Sequence, residues 1–483
     1  MQCSHGLGMG QSERGPGFDV AVIGAGVVGA AVARRLQLDG YAVVVLEAAS
    51  EVLDGASKGN SGILHTGFDA PPDSLEAKCV AEGRAEFLAI HRDLDLPLVE
   101  TGAMVLAWSE AEAVALPGLL EQAHANGVMD AVLLSDSEVR RLEPQLAAGV
   151  RGGMRLPGEH VIDPWSTAHA YLLQALVNGA ELRRRAALQA AAFDGSSWRL
   201  QTTAGSLRAD AVIACAGLFG DRVEALLFGD ASFTIRPRKG QFVVYDKPAA
   251  SLARHILLPV PTATTKGIVV CRTAWGNLLV GPTAEEQESR SEAATDRATL
   301  EALIEKGRAI LPGLAAEEVT ASYAGLRPAT ERKEYRIRAD RDRRLVSVGG
   351  IRSTGLSAAL GLARHVATLL DGRAVTPLAE PVIPRLPWLA EGAASSSGGA
   401  RDWTRPGHGG IVCHCELVTR REVEQALGGP LAATTLAGLK RRTRATMGRC
   451  QGFNCLAPLA RLTEGRLEPP IALPFAGREP GDG

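Results

Sequence analysis

The sequence predicts an α/β protein in three parts: a Rossmann-like dinucleotide-binding body, an antiparallel β insertion, and a small helical C-terminal module. Three observations carry this. A strand–glycine–helix–strand unit opens the chain at 18–47, short β-type runs crowd 233–281, and four of the eight cysteines fall within 413–455. At 483 residues the chain exceeds the ~250–300 at which single cores stop growing.

The first unit is FDVAVIGAGVVGAAVARRLQLDGYAVVVLE (18–47). Its apolar run at 20–23 lacks polar alternation, as a parallel strand buried on both faces does. A helical pattern follows from Val27 to Leu38, Gly40 ends it, and a second apolar strand spans 42–46. Gly24-x-Gly26-x-x-Gly29 sits between strand and helix, where glycines allow a tight turn and close backbone approach to a pyrophosphate. The helix N-terminus then offers free N–H groups to phosphate. Glu47 ends the second strand, placed to accept hydrogen bonds from a ribose 2′-OH. With no basic residue at 47–50, the pattern suits FAD or NAD rather than NADP.

Further along, SKGNSGILHTGF (57–68) reads as a loop. Asp73-x-x-Glu76 after Pro71-Pro72 starts a helix to about Leu94, and Asp163-Pro164 starts another to about Asn178. An apolar strand at 209–217 ends in small residues; FTIRP, QFVVYD, GIVVCR and NLLVGP supply strands; 292–310 reads as helix. Residues 345–370 repeat the strand–glycine–helix design, which suits a long cofactor met at both ends by distant segments and so favours FAD. Expected boundaries are a loose tail at 1–17, the main domain at 18–375 with substrate-side segments at about 95–145 and 233–320, a linker at 376–407 containing AASSSGGA, and a metal-binding module at 408–470.

A net charge of −2 gives no support to a nucleic-acid footprint, and no apolar run reaches the ~18 residues of a membrane span. The glycine-rich start lacks the apolar stretch of a signal peptide, so a cytoplasmic location is expected.

The N-terminal fingerprint, NSGILHTGFDAPPDSLEAKCVAEG (60–83), IACAGLFGD (213–221), RPRKGQFVVYD (236–246), SYAGLRPAT (322–330) and GGIRSTGLSAALGLARHVA (349–367) together resemble the D-amino-acid-oxidase-type FAD oxidoreductases. Within that group they are similar to the sn-glycerol-3-phosphate dehydrogenase and L-2-hydroxyglutarate dehydrogenase branch. The resemblance implies an FAD-dependent dehydrogenase acting on a small anionic hydroxy substrate, glycerol 3-phosphate foremost and L-2-hydroxyglutarate as the alternative. Amine oxidation shares the scaffold and ranks third. It implies His65 as the base beside the flavin and Arg327 as the anion-binding arginine, with Arg352 and Lys239 nearby. Ser57, Asn60, Ser61, Ala216, Gly217, Gly350, Gly355 and Leu356 are expected to join Gly24, Gly26, Gly29 and Glu47 against the cofactor.

Cys413-x-Cys415 and Cys450-x-x-x-x-Cys455 supply four thiolates in two close pairs, enough for tetrahedral zinc or a [2Fe–2S] cluster. Structural zinc usually spaces its pairs C-x₂₋₄-C, so C-x-C favours the cluster. CHCE and KRRTRATMGRCQGFNC (440–455) resemble bacterioferritin-associated ferredoxin, which implies [2Fe–2S]. Lys440, Arg441, Arg442 and Arg444 are expected to offset its negative charge. His414 should point away. The implied electron route ends on an acceptor protein or quinone-linked subunit, which would bring peripheral membrane association through that partner. A metal-sensing assembly role is the competing reading.

Overall fold

A computed structural model describes residues 17–261, 267–370, 375–389 and 401–472. Residues 1–16 of the expected 1–17 tail and the AASSSGGA segment lie outside the described residues.

Strand β1 (Phe18–Ile23), helix α1 (Val27–Leu38) and strand β2 (Val43–Leu46) form the expected unit. β1 is central: it pairs in parallel with β2 on one side and with the strand Gly205–Ala214 on the other, which in turn pairs in parallel with Leu345–Gly349. All four β2 residues are buried, as the absence of polar alternation requires. α1 is sandwiched between the helices Pro164–Val177 and Gly355–Leu369, so late sequence packs beside the first glycine turn. Its small face (Ala30, Ala31, Ala33) is fully buried, which permits that close packing.

The helix α2 (Leu75–Ile90) is capped by Ser74, whose hydroxyl accepts from Ala77 N–H at 3.1 Å, not by Asp73. Asp73 takes a left-handed conformation, φ +58°, closing the turn after Pro71-Pro72, so the cap passes to the next residue. The helix also stops at Ile90, four residues before the expected Leu94. Asp163 caps its helix as expected, accepting from Ser166 N–H at 2.9 Å.

The insertion is a mainly antiparallel sheet of nine strands. Its longest pair, Ile235–Tyr245 and Val319–Thr330, is in register from Ile235↔Thr330 to Val244↔Ala321. FTIRP and QFVVYD are thus one strand. The sheet also takes Ala103–Ala107 and Gly152–Leu156, so its segments run to 156 and 330 rather than 145 and 320.

The C-terminal module comprises a small hairpin (Ile411–Cys413, Val418–Thr419) and three short helices: Arg420–Ala426, Leu436–Thr443 and Leu456–Leu462. The module is packed against the body. Its Val412, Val423, Leu439 and Leu459 join the same apolar core as α1 and β2. Leu386 and Trp388 of the supposed linker are buried at 2% and 3% exposure in that core. Apolar burial on both sides makes a docked arrangement the low-energy one.

Candidate active site and cluster site

Where the two sheets meet, a cavity of about 920 Å³ runs from the first glycine turn to the insertion. Every expected cofactor residue except Gly29 lines it, as do His65, Arg327 and Arg352. Gly24 has φ +106°, and a Cβ there would lie 2.5 Å from Cys215 O. Gly29 does its work in packing: a Cβ would sit 1.9 Å from Gly24 O, so only glycine lets the helix close on the turn. Glu47 accepts from Ala25 N–H at 2.8 Å and Ala49 N–H at 2.9 Å, bracing the turn from beneath. Burial raises its carboxyl above the usual range against those two donors. Ser57 Oγ accepts from Val27 N–H at 3.0 Å and so occupies the helix N-terminus. Asn60 Oδ1 accepts from Gly62 N–H at 2.7 Å, shaping the loop that carries His65.

That loop is pressed onto the insertion. A Cβ on Gly59 would come 2.4 Å from Gly325 Cα, and Tyr323 OH donates to Asn60 O at 2.9 Å. The close approach brings Arg327, two residues beyond Gly325, to the cavity wall. Gly240 opposite makes room, since a Cβ there would lie 2.7 Å from Arg327 Nη2.

Arg327 is largely buried, and its only hydrogen bonds among the described residues run from both Nη atoms to Thr283 O at 3.3 Å. Burial first, then the charges of Arg238 and Arg352, push its titration down to about 10. Arg352 is likewise lowered by burial. Arg238 has Glu286 as its partner at 2.7 Å and Arg352 feels Glu76, whereas Arg327 has only the neutral Thr283 carbonyl among the described residues, so its charge is the one left for an anion in the cavity.

Lys239 is not part of it. Its ammonium pairs with Glu285 at 3.0 Å and Asp296 at 3.9 Å, and it does not line the cavity. Successive strand residues face opposite ways, so Arg238 takes the inward position.

His65 receives two holds: its N–H donates to Ser357 Oγ at 2.8 Å, and its Nδ1 lies 2.9 Å from Glu159 Oε2. Glu159 is fully buried and also accepts from Thr66 N–H at 2.6 Å and Thr66 Oγ1 at 2.7 Å. Burial alone would raise this carboxyl; the charge and hydrogen bond of His65 and the Thr66 donors outweigh it, and the net direction is down. Glu159 was invisible to sequence reasoning, because it lies 94 residues from His65 in an ordinary-looking turn.

The four clustered cysteines come together as two contacting pairs, Cys413 with Cys455 and Cys415 with Cys450, each pair sensing the other's charge. Among the described residues no three metal-ligating side chains converge on one ion position. Two thiol pairs side by side suit two irons rather than one tetrahedral zinc. Backbone N–H groups of Asn454, Gly452 and Phe453 point at Cys450 and lower its titration. Gly448 is obligatory: a Cβ would lie 2.1 Å from Cys415 Cβ. His414 is exposed, as expected.

The basic run behaves differently from expectation. Arg442 is wholly buried and pairs with Glu51 at 2.8 Å, Arg441 reaches Asp54 at 3.3 Å, and Arg444 holds Glu416 at 3.0 Å. These arginines lock the module to the body and to itself. Only Lys440 faces a cluster cysteine, Cys455.

A family model described as FAD dependent oxidoreductase matches residues 19–369. The chain belongs to this family. Residues 411–464 match a second model, the BFD-like [2Fe-2S] binding domain. A glycerol 3-phosphate dehydrogenase of Caloramator mitchellensis is 31% identical over 447 residues, covering 91% of this chain and 92% of that protein. An L-2-hydroxyglutarate dehydrogenase of Indibacter alkaliphilus is 26% identical over 55% of this chain and 68% of its own. The solved L-alpha-glycerophosphate oxidase of Mycoplasma pneumoniae, reduced with dithionite and with FAD bound, superimposes with a TM-score of 0.72 at 27% identity, covering 77% of this chain and 99% of that one. This FAD-dependent oxidoreductase therefore carries FAD in its main domain and a [2Fe–2S] cluster in its C-terminal domain. The glycine turn with Glu47 beneath it, and the thiol pairs with their N–H donors, fit those two groups. No described helix is long and apolar enough to cross a membrane.

Proposed function

We propose that the protein is an FAD-dependent dehydrogenase that oxidises sn-glycerol 3-phosphate to dihydroxyacetone phosphate and passes the electrons out through its [2Fe–2S] cluster. The observation that carries this is Arg327: a largely buried guanidinium facing the cavity with only a neutral carbonyl for partner among the described residues. A fork of this kind suits a phosphate dianion, and the name borne by the Caloramator relative agrees.

Gly24, Gly26, Glu47, Ser57, Ala216, Gly217, Gly350, Gly355 and Leu356 hold the cofactor in this reading, with Asn60 and Ser61 shaping its loop. FAD supplies the two-electron oxidant for the carbinol C–H, and the cluster a one-electron carrier. Arg327 and Arg352 anchor the phosphate. His65 takes the hydroxyl proton, which a base within hydrogen-bond reach accelerates by roughly 10²–10⁴-fold.

The docked module supports internal electron transfer. Gln451, next to Cys450, donates to Thr320 O at the foot of the strand whose Gly325 abuts the flavin loop. Five residues at ~3.3 Å each put the two ends ~17 Å apart along the strand. On the outer side Phe453, between Cys450 and Cys455, is 86% exposed and offers a contact for a one-electron acceptor protein.

The test is anaerobic bleaching of the flavin absorbance, comparing glycerol 3-phosphate with L-2-hydroxyglutarate. Bleaching by the phosphate at micromolar to millimolar concentration is expected. Bleaching by the dicarboxylate alone would transfer the same site to the second substrate, and bleaching by neither would overturn the reading.

A further inference from the structure

We propose that Glu159 is a positioning residue for the reaction: it fixes His65 as the tautomer with the proton on Nδ1, leaving the Nε2 lone pair free for the substrate hydroxyl. The inference rests on His65 being the base, and it adds a residue that neither the glycine motif nor the arginine site contains.

The geometry leaves Glu159 little freedom. Its side chain is 0% exposed, with one oxygen held by the N–H and hydroxyl of Thr66 and the other 2.9 Å from His65 Nδ1. A carboxylate already taking two donors is an acceptor, so Nδ1 must be the donating nitrogen. The backbone bond from His65 N–H to Ser357 Oγ fixes the other end of the residue. The imidazole can then accept a proton only at Nε2. In the step itself the substrate O–H bond breaks and an Nε2–H bond forms, turning a neutral ring into a cation beside the buried anion. A buried carboxylate without a cation is costly, so the pair gains when the proton arrives.

Other charges near the pair are few. Arg84 of α2 donates to Gly158 O at 2.7 Å and acts on Glu159 from behind. His160 borders Arg84 and feels Glu159 and Glu100. Among the described residues none of them hydrogen-bonds the His65 ring, so Glu159 alone determines the state of Nδ1.

The test combines kinetics with ¹⁵N NMR of histidine-labelled, flavin-loaded protein, the His65 signals assigned by their loss in His65→Asn. Glu159→Gln is expected to slow anaerobic flavin bleaching roughly 10- to 1,000-fold and to move the acidic limb of its pH profile to lower pH. It should also shift the His65 signals away from the Nδ1–H tautomer. In the His65→Asn background the same change should cost nothing further, whereas a merely structural role would cost equally in both. Glu159→Asp keeps the buried charge but shortens its reach; at unchanged flavin content it should lose at least about fivefold in rate. Wild-type rate and pH profile in both Glu159 variants, with His65→Asn impaired, would overturn the proposal and leave the base assignment standing. Wild-type bleaching by His65→Asn would overturn the base assignment instead, while an Nδ1–H tautomer unaltered in Glu159→Gln would overturn Glu159's role independently.

Discussion

Arg327→Met separates binding from stability more sharply than any other change. The arginine sits largely buried with one neutral carbonyl as acceptor, its titration pushed well below the ordinary guanidinium value, to about 10, by burial and by Arg238 and Arg352. At 1.36 kcal/mol per pH unit that environment costs about 3 kcal/mol, or about 1–3 kcal/mol once solvent reaching the side chain through the cavity is allowed for. Methionine fills similar space without the charge, so the substrate-free protein should unfold at the same temperature or a few degrees higher. Binding should move the other way. Two charge-assisted hydrogen bonds to phosphate, at about 1.5–3 kcal/mol each, predict affinity for glycerol 3-phosphate weaker by about 100-fold or more. Anaerobic bleaching titrations give the affinity, and scanning calorimetry the unfolding temperature. Clear destabilisation with unchanged affinity would refute the reasoning, because Arg327 would then be a structural ion whose partner lies elsewhere.

Four further outcomes are expected. Gly29→Ala should abolish FAD retention, read as loss of flavin absorbance in the purified protein, because its Cβ would meet Gly24 O at 1.9 Å. Cys415→Ser should remove the visible and EPR signals of the cluster and turnover with a one-electron acceptor, while substrate still bleaches the flavin; unchanged turnover would end the relay idea. Glu51→Ala leaves Arg442 buried and unpaired, so it should cost about 3–5 kcal/mol and release the module to proteolysis between the domains. Docking should also loosen in acid: burial raises the Glu51 carboxyl, the charge and hydrogen bond of Arg442 and the Thr434 N–H pull it down by more, and the net direction is down. A depressed carboxyl contributes stability fully above its unfolded value and loses it as pH falls through the folded one, so protection from protease should fade below about pH 4.5.

Local sequence determined what depends on neighbours in the chain. The glycine turn, α1, β2 and Glu47 are where spacing placed them, because backbone conformation and strand burial are written within thirty residues. The cysteine spacing likewise announced four clustered thiolates, but it paired them by closeness in the chain, Cys413 with Cys415 and Cys450 with Cys455, whereas the fold brings Cys413 to Cys455 and Cys415 to Cys450. The error at Asp73 was of one residue, made by a turn that borrowed the expected cap. Lys239 failed for a different reason: strand alternation decides which of two adjacent cations faces the cavity, and the register that sets it comes from the partner strand Val319–Thr330. Only the tertiary structure could pair His65 with Glu159, press Gly59 against Gly325, or turn Arg441, Arg442 and Arg444 from cluster counter-charges into a lock. Each of these joins segments far apart in the chain, and packing of buried surfaces, not any local preference, selects the contact. A charged run looks the same in sequence whether it faces solvent, a cluster or a buried carboxylate; the fold supplies the partner that distinguishes them.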